Sequence, residues 1–277
     1  MKKLSIFLAL LILLSGCGKT APVPSTVPTT VATEAPTETA PCTHTDSDDN
    51  GECDLCLVSL LVTFDFYCIN DLHGKVADAD THPGVDELTT FLERARAGNE
   101  NTVVLSAGDM WQGSAESNMT RGALTTEWMN EVGFAAMTLG NHEYDWGEDP
   151  IAANAQIAEF PLLAINIYDR HTNQQVDYCR SSVVVDQNGV QVGIIGAMGD
   201  CYNSIAGAQV KDVYFLTGQD LTALVKAEAQ ALRAQGVDFI VYVIHDGYGD
   251  SKSGSATSSC ARCARMTQPP LISRAGR

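Results

Sequence analysis

The sequence predicts a layered α/β domain built on mixed β-sheet. Three observations lead there. Short apolar, β-branched segments alternate with helically spaced ones between residues 60 and 250. One pair of strand-like segments flanks Gln187-Asn188-Gly189, a hairpin signal that places antiparallel strands beside parallel ones. Hydrophobic residues make up 45% of the 277, enough for a sizeable core. In chain order, residues 60–67 read as a buried strand and 85–96 as a helix. Residues 102–105 are a second strand, 124–132 a helix, 134–139 a short strand and 162–167 another. Residues 182–186 and 190–197 form the hairpin. Residues 221–234 carry Leu221, Leu224, Val225 and Leu232 on one helical side, and 237–244 is the last strong strand.

The flanking regions have a different character. Lys2 and Lys3 precede an apolar run over residues 4–14, which ends in Leu14-Ser15-Gly16-Cys17. A basic start with a short apolar stretch is an export signal, too short for a comfortable membrane span. Its end resembles a bacterial lipoprotein signal. That implies cleavage before Cys17, a lipid on Cys17, and a cell-surface or periplasmic protein touching the membrane only through that anchor. Residues 1–17 are thus read as signal and 18–41, rich in Thr, Pro, Ala and Val, as a linker with too few large side chains to fold. Residues 42–57 are a Cys/Asp-rich segment with three open readings. Cys42, His44, Cys53 and Cys56 offer four ligands suited to zinc. Asp46, Asp48, Asn50 and Gly51 match the front of a calcium loop whose twelfth position is Leu57 instead of Glu. A disulfide-pinned acidic linker is the third. The chain has nine cysteines, and lipidation of Cys17 would leave eight to pair in an oxidising compartment.

A net charge of -17 argues against a nucleic-acid polymer as partner, because an acidic surface repels a phosphate backbone. It leaves a small phosphate ester open, since bound cations invert a local field. The strand ends point that way. After the first strand come Asn70-Asp71-Leu72-His73-Gly74, and after the second Gly108-Asp109. After the third come Gly140-Asn141-His142-Glu143 with Tyr144-Asp145, and after the last His245-Asp246-Gly247. Ligands of α/β sheets bind beyond the carboxyl ends of strands, so one edge would collect three of the six histidines with Asp71, Asp109 and Asn141. Each motif alone fits an ordinary turn; their order and placement together mark a site. Met110, Trp111 and Met119 read as packing, and Glu143 and Trp146 as loop-shaping.

The segments NDLHG, SAGDMWQGS and GNHEYDWG, followed by a strand-end histidine, resemble the calcineurin-like metallophosphoesterases, and more narrowly their 5'-nucleotidase and UDP-sugar hydrolase branch. The resemblance implies a four-layer α/β/β/α sandwich over residues 58–259 and a centre of two divalent cations (Zn, Mn, Mg or Fe). Asp71 and His73 would hold the first cation and Asn141 and His245 the second, with Asp109 bridging. His142 would lie near the phosphoryl group, oriented by Asp145. A hydroxide shared by two cations is a nucleophile near neutral pH, and a protonated His142 can stabilise developing charge or protonate the leaving oxygen. The implied substrates are small extracellular nucleotides, with 2',3'-cyclic nucleotides or UDP-sugars as the alternative.

The family pattern continues with another strand and G-H-x-H, whereas no histidine follows His245 and residues 251–277 carry no strand pattern. From residue 260 to 277 there are four arginines and no acidic residue. This abrupt shift leads to the expectation of a frameshifted or misread end, with a natural basic tail as the alternative. Each cation would lack one imidazole, which leaves a non-catalytic metal or nucleotide binder as a further reading.

Overall fold

The computed structural model describes Ser47 and residues 62–79, 82–247 and 262–263. The expectations for Cys17, for the linker at 18–41 and for Cys42, His44, Cys53 and Cys56 lie outside these residues. No helix among the described residues is long and apolar enough to cross a membrane.

Two sheets face each other, with helices outside both. The first is wholly parallel and holds β1 (Asp65–Ile69), β2 (Thr102–Ser106), β3 (Ala136–Thr138) and β4 (Leu162–Leu163), in that order. Every residue of β2 is buried, as expected of an interior parallel strand covered on both faces. On the outer face, Val104 and Met137 join one core with Leu92 of α1 (Val85–Gly98) and Met129 and Val132 of α3 (Ala123–Val132). Arg96, in the last turn of α1, donates to the carbonyls of Val132 and Gly133 and so caps α3. A short α2 (Ala115–Thr120) and α4 (Glu148–Ile157) complete this layer.

The second sheet is mixed. β6 (Ser182–Gln187) and β7 (Val190–Met198) form the expected hairpin, and β7 runs parallel to β9 (Phe239–His245). Asn188 and Gly189 both have positive φ, which a two-residue turn of matching twist requires. Period-two alternation divides the strands between two cores. Ile195, Ala197 and Ile240 pack with Leu221 and Leu232 of α5 (Gly218–Ala234), while the alternate residues face the first sheet. The same alternation turns His245 inward. The layers are therefore α/β/β/α.

The strand expectations needed corrections. β1 begins at Asp65 instead of residue 60 and extends to Ile69, because its register with β2 pairs Asp65 with Thr102 and Ile69 with Ser106. Residues 162–167 are not one strand. After β4 the chain leaves the first sheet, with Ile165 N bonded to Gly196 O, and β5 (Ile167–Asp169) pairs with β8 (Val213–Phe215) in a separate ribbon. Residues 251–277 do contain a strand: β10 (Arg262–Cys263) pairs antiparallel with Ile244 and Val243, a two-residue backbone match with no side-chain pattern to announce it. Met110 and Trp111 are fully buried, but Met119 is 87% exposed on α2 and packs in no core.

The sheets approach closely at Gly196, where a Cβ would collide with Leu163 of β4 and lie 2.8 Å from Thr138 Oγ1 of β3. We expect Gly196→Ala to destabilise the domain by ~1–3 kcal/mol, since overpacking between two sheets displaces backbone. Urea unfolding followed by circular dichroism measures this; an unchanged midpoint would mean the sheets can separate without loss.

Candidate metal centre

The ends of β1, β2, β3 and β9 converge on one edge. The turn after β1 presents Asp71 and His73, the turn after β2 Asp109, the single 3-10 turn after β3 (Asn141–Tyr144) Asn141 and His142, and β9 ends in His245. Asp71, His73 and Asp109 all have left-handed backbone, with φ of 52°, 50° and 56°. Such conformations in non-glycine residues cluster at functional sites, where surrounding structure holds them.

Asp109 is the centre. It is fully buried, and its Oδ1 accepts from the His142 backbone N–H at 2.9 Å. Its Oδ2 lies 3.2 Å from His245 Nε2 but makes no hydrogen bond of good geometry, leaving a buried anionic oxygen short of a partner. Ligand atoms of Asp71, Asp109 and His245 lie within 4.8 Å of one another, and so do those of His73, Asp109 and His142. Asp109 belongs to both groups. Asn141 Oδ1 stands 3.1 Å from His245 Nε2, on the same side as the first group.

The imidazoles are oriented as metal ligands require. His245 Nδ1 is 2.7 Å from the Ala107 carbonyl and His73 Nδ1 is 2.8 Å from the Gln112 carbonyl. A carbonyl oxygen only accepts, so both Nδ1 atoms carry hydrogen and both Nε2 atoms face the site. His142 Nδ1 is 2.8 Å from Asp145 Oδ2, and the His142 and His73 rings meet edge to face at 5.0 Å. The orphaned Asp109 oxygen, the inward Nε2 atoms and the two donor groups together suit a pair of cations sharing one carboxylate.

Charges follow from this packing. Burial works against an imidazolium at His245, yet the pull of the Asp109 carboxylate 3.2 Å away prevails and raises it to about 9. Asp109 is held low by the same partner against its own burial. Burial also opposes charge on His142, but its bond to Asp145 and the nearby acids raise it. Burial and the Asp109 charge push the Glu143 carboxyl up to about 7.

The sequence reading missed how much Glu143 does. Its fully buried carboxylate accepts from the backbone N–H of Asp109 at 2.8 Å, Met110 at 2.9 Å, Trp111 at 3.3 Å and Gly140 at 2.7 Å. Its place in a G-N-H-E string marked it as loop-shaping; the number of amides converging on it comes from tertiary structure alone.

The chain belongs to the calcineurin-like phosphoesterase family, whose model matches residues 64–241. It is 29% identical to a 5'-nucleotidase of Diplobatis ommata over 198 residues, covering 66% of this chain and 33% of that protein. It is 33% identical to an apyrase of Aedes albopictus over 212 residues, covering 70% and 37%. The solved 5'-nucleotidase precursor of Thermus thermophilus superposes with a TM-score of 0.59 at 28% identity, covering 67% and 37%. The chain thus spans about a third of the length of these relatives.

Because His245 is raised from 6.5 to about 9, its pairing stabilises the metal-free fold fully below pH 6.5, and that contribution is lost as pH rises through 9. The melting temperature of chelator-treated protein should therefore fall between these limits, and His245→Gln should flatten the fall. Thermal scans in EDTA across pH 6 to 10 provide the measurement; the same slope in both proteins would contradict the pairing.

Proposed function

We propose that this chain carries the catalytic layer of a metal-dependent phosphoester hydrolase, with residues 58–259 as its domain and nucleoside 5'-monophosphates as its substrates. The supporting observation is the fully buried Asp109, shared between two three-residue ligand groups. In this reading Asp71 and His73, whose Oδ1 and Nε2 lie 3.9 Å apart, hold one cation, Asn141 and His245 the other, and Asp109 both; the compact groups divide the ligands differently, setting Asp71 beside His245 and His73 beside His142, so Asp71 lies within reach of both positions. When bound, two divalent cations supply Lewis acidity toward phosphoryl oxygens and activate water near neutral pH. Asn141 contributes a neutral oxygen, which preserves net positive charge for an anionic substrate. Relatives described as 5'-nucleotidases support the choice of substrate. A phosphodiester or UDP-sugar would need the same reacting centre and differs only in the leaving group.

The protein's own acid–base element is the His142–Asp145 pair. His142 is half exposed at the rim, so its Nε2 can reach a bound phosphoryl group while Nδ1 donates to Asp145. Held protonated by Asp145, it can stabilise charge on an equatorial oxygen or deliver a proton to the departing alkoxide. We also infer that the chain is exported and anchored through a lipid on Cys17; the disulfide at Cys68 supports an oxidising compartment.

Phosphate release from AMP or UMP with added Mn²⁺ tests the activity. Asn141→Ala and His142→Ala should each lower turnover about 100-fold or more. Metal uptake without turnover would favour a binding role instead, and turnover unchanged by both substitutions would refute the assignment. Asp145→Asn should lower the His142 pKa, so the alkaline limb of the pH–rate profile should move to lower pH; a limb that stays in place would detach Asp145 from the chemistry. Labelling with a radioactive fatty acid should mark the full-length chain in a bacterial host and fail in Cys17→Ser. Equal labelling would rule out that anchor.

A further inference from the structure

We propose that Glu143 is a positioning residue that sets the separation of the two ligand sites by gathering the backbone of the loops that carry them. The proposal rests on the dinuclear reading above and extends it to a residue that touches neither cation.

The segment 108–114 has two sides. Its carbonyls face the turn after β1. Gly108 O accepts from Asp71 N at 3.0 Å, Asp109 O from His73 N at 3.1 Å, Met110 O from Gly74 N at 2.8 Å, and Gln112 O from the His73 ring. Ser114 closes this seam, its N–H donating to His73 O at 2.9 Å and its hydroxyl to Gly74 O. The amides of Asp109, Met110 and Trp111 point the other way, and all three end on Glu143. The fourth amide on that carboxylate belongs to Gly140, which begins the turn carrying Asn141 and His142. One carboxylate thus ties the Asp109 loop, and through its carbonyl seam the Asp71–His73 turn, to the Asn141–His142 turn.

The chemistry of the acceptor matters. When ionised, the two carboxylate oxygens offer about four lone-pair directions and no hydrogen, matching the four converging N–H donors. A glutamine of the same size would bring an NH₂ group against amides that also donate, leaving buried donors unsatisfied and forcing the loops apart. The surroundings are close-packed: Glu143 is fully buried, and a Cβ on Gly140 would collide with Asp109 Oδ1. The displacement would fall on Asp109, whose Oδ1 also receives the His142 amide.

The test compares wild type, Glu143→Gln and Glu143→Asp for Mn²⁺ binding by calorimetry, with circular dichroism and melting in EDTA to establish folding. In folded Glu143→Gln, Mn²⁺ affinity should fall by about 10- to 100-fold, the range for residues that orient metal ligands. Glu143→Asp keeps an acceptor-only group and should recover at least half of the loss on a logarithmic scale. Should Glu143→Gln not fold, Glu143→Asp is judged alone: its shorter reach should weaken Mn²⁺ binding measurably, and wild-type affinity would overturn the proposal. Equal affinities in wild type and folded Glu143→Gln overturn it too, while leaving the metal centre standing. Wild type that binds no Mn²⁺ removes the metal reading itself, and this one with it.

Discussion

Burying the Asp109 carboxylate is the constraint around which this edge of the fold is organised. An ionised carboxylate removed from water is unfavourable by several kcal/mol unless charges and donors replace its hydration. Here the replacements come from far along the chain: an amide after β3, an imidazole ending β9, and one oxygen direction left for a cation. None of these groups is local to residue 109. The carboxylate therefore couples folding to assembly of the site, because its neighbours come together only when both sheets are formed and stacked.

Stacking, in turn, depends on alternation along β7 and β9. Turning one face of each strand toward α5 and the other toward the first sheet buries two cores with one layer. It also settles which way His245 points, since it ends the inward series begun by Phe239, Val241 and Val243. Close approach at Gly196 brings that layer near enough for a β9 residue to reach a carboxylate after β2. The ion-holding geometry is thus an outcome of hydrophobic packing, and electrostatics only selects what occupies the convergence point.

Much of this was legible in the sequence, for physical reasons that differ by element. β2, the β6–β7 hairpin, β9 and α5 announce themselves through continuous burial, an Asn-Gly turn and helical spacing. The α/β/β/α class and the convergence of strand ends follow from their order together with the family resemblance. β4 and β5 were merged, because Leu162 to Ile167 is apolar throughout and the switch between sheets is made by backbone bonds to β7. α2 was missed because six residues are too few to show helical periodicity, and α4 because its buried face is made of Pro150, Ile151 and the polar Asn154. The two-residue β10 has none. Among site residues, Asp71, His73, Asp109, Asn141, His142 and His245 stand in strings that name them, and the structure brings them together. The anchoring role of Glu143 was invisible, because the donors it collects are main-chain amides, present at every position of any sequence.

The left-handed backbone at Asp71, His73 and Asp109 reaches beyond the energy of the fold. That conformation is entered readily by glycine and, among side-chain-bearing residues, mainly by asparagine, aspartate and histidine. At these three positions the chain's own geometry and the needs of ion binding draw on nearly the same short list of amino acids. A lineage in which the site was no longer used would not lose these residues at random. Its backbone would steer drift toward asparagine or glycine, so the shape of the turns would outlast the ligands they once carried.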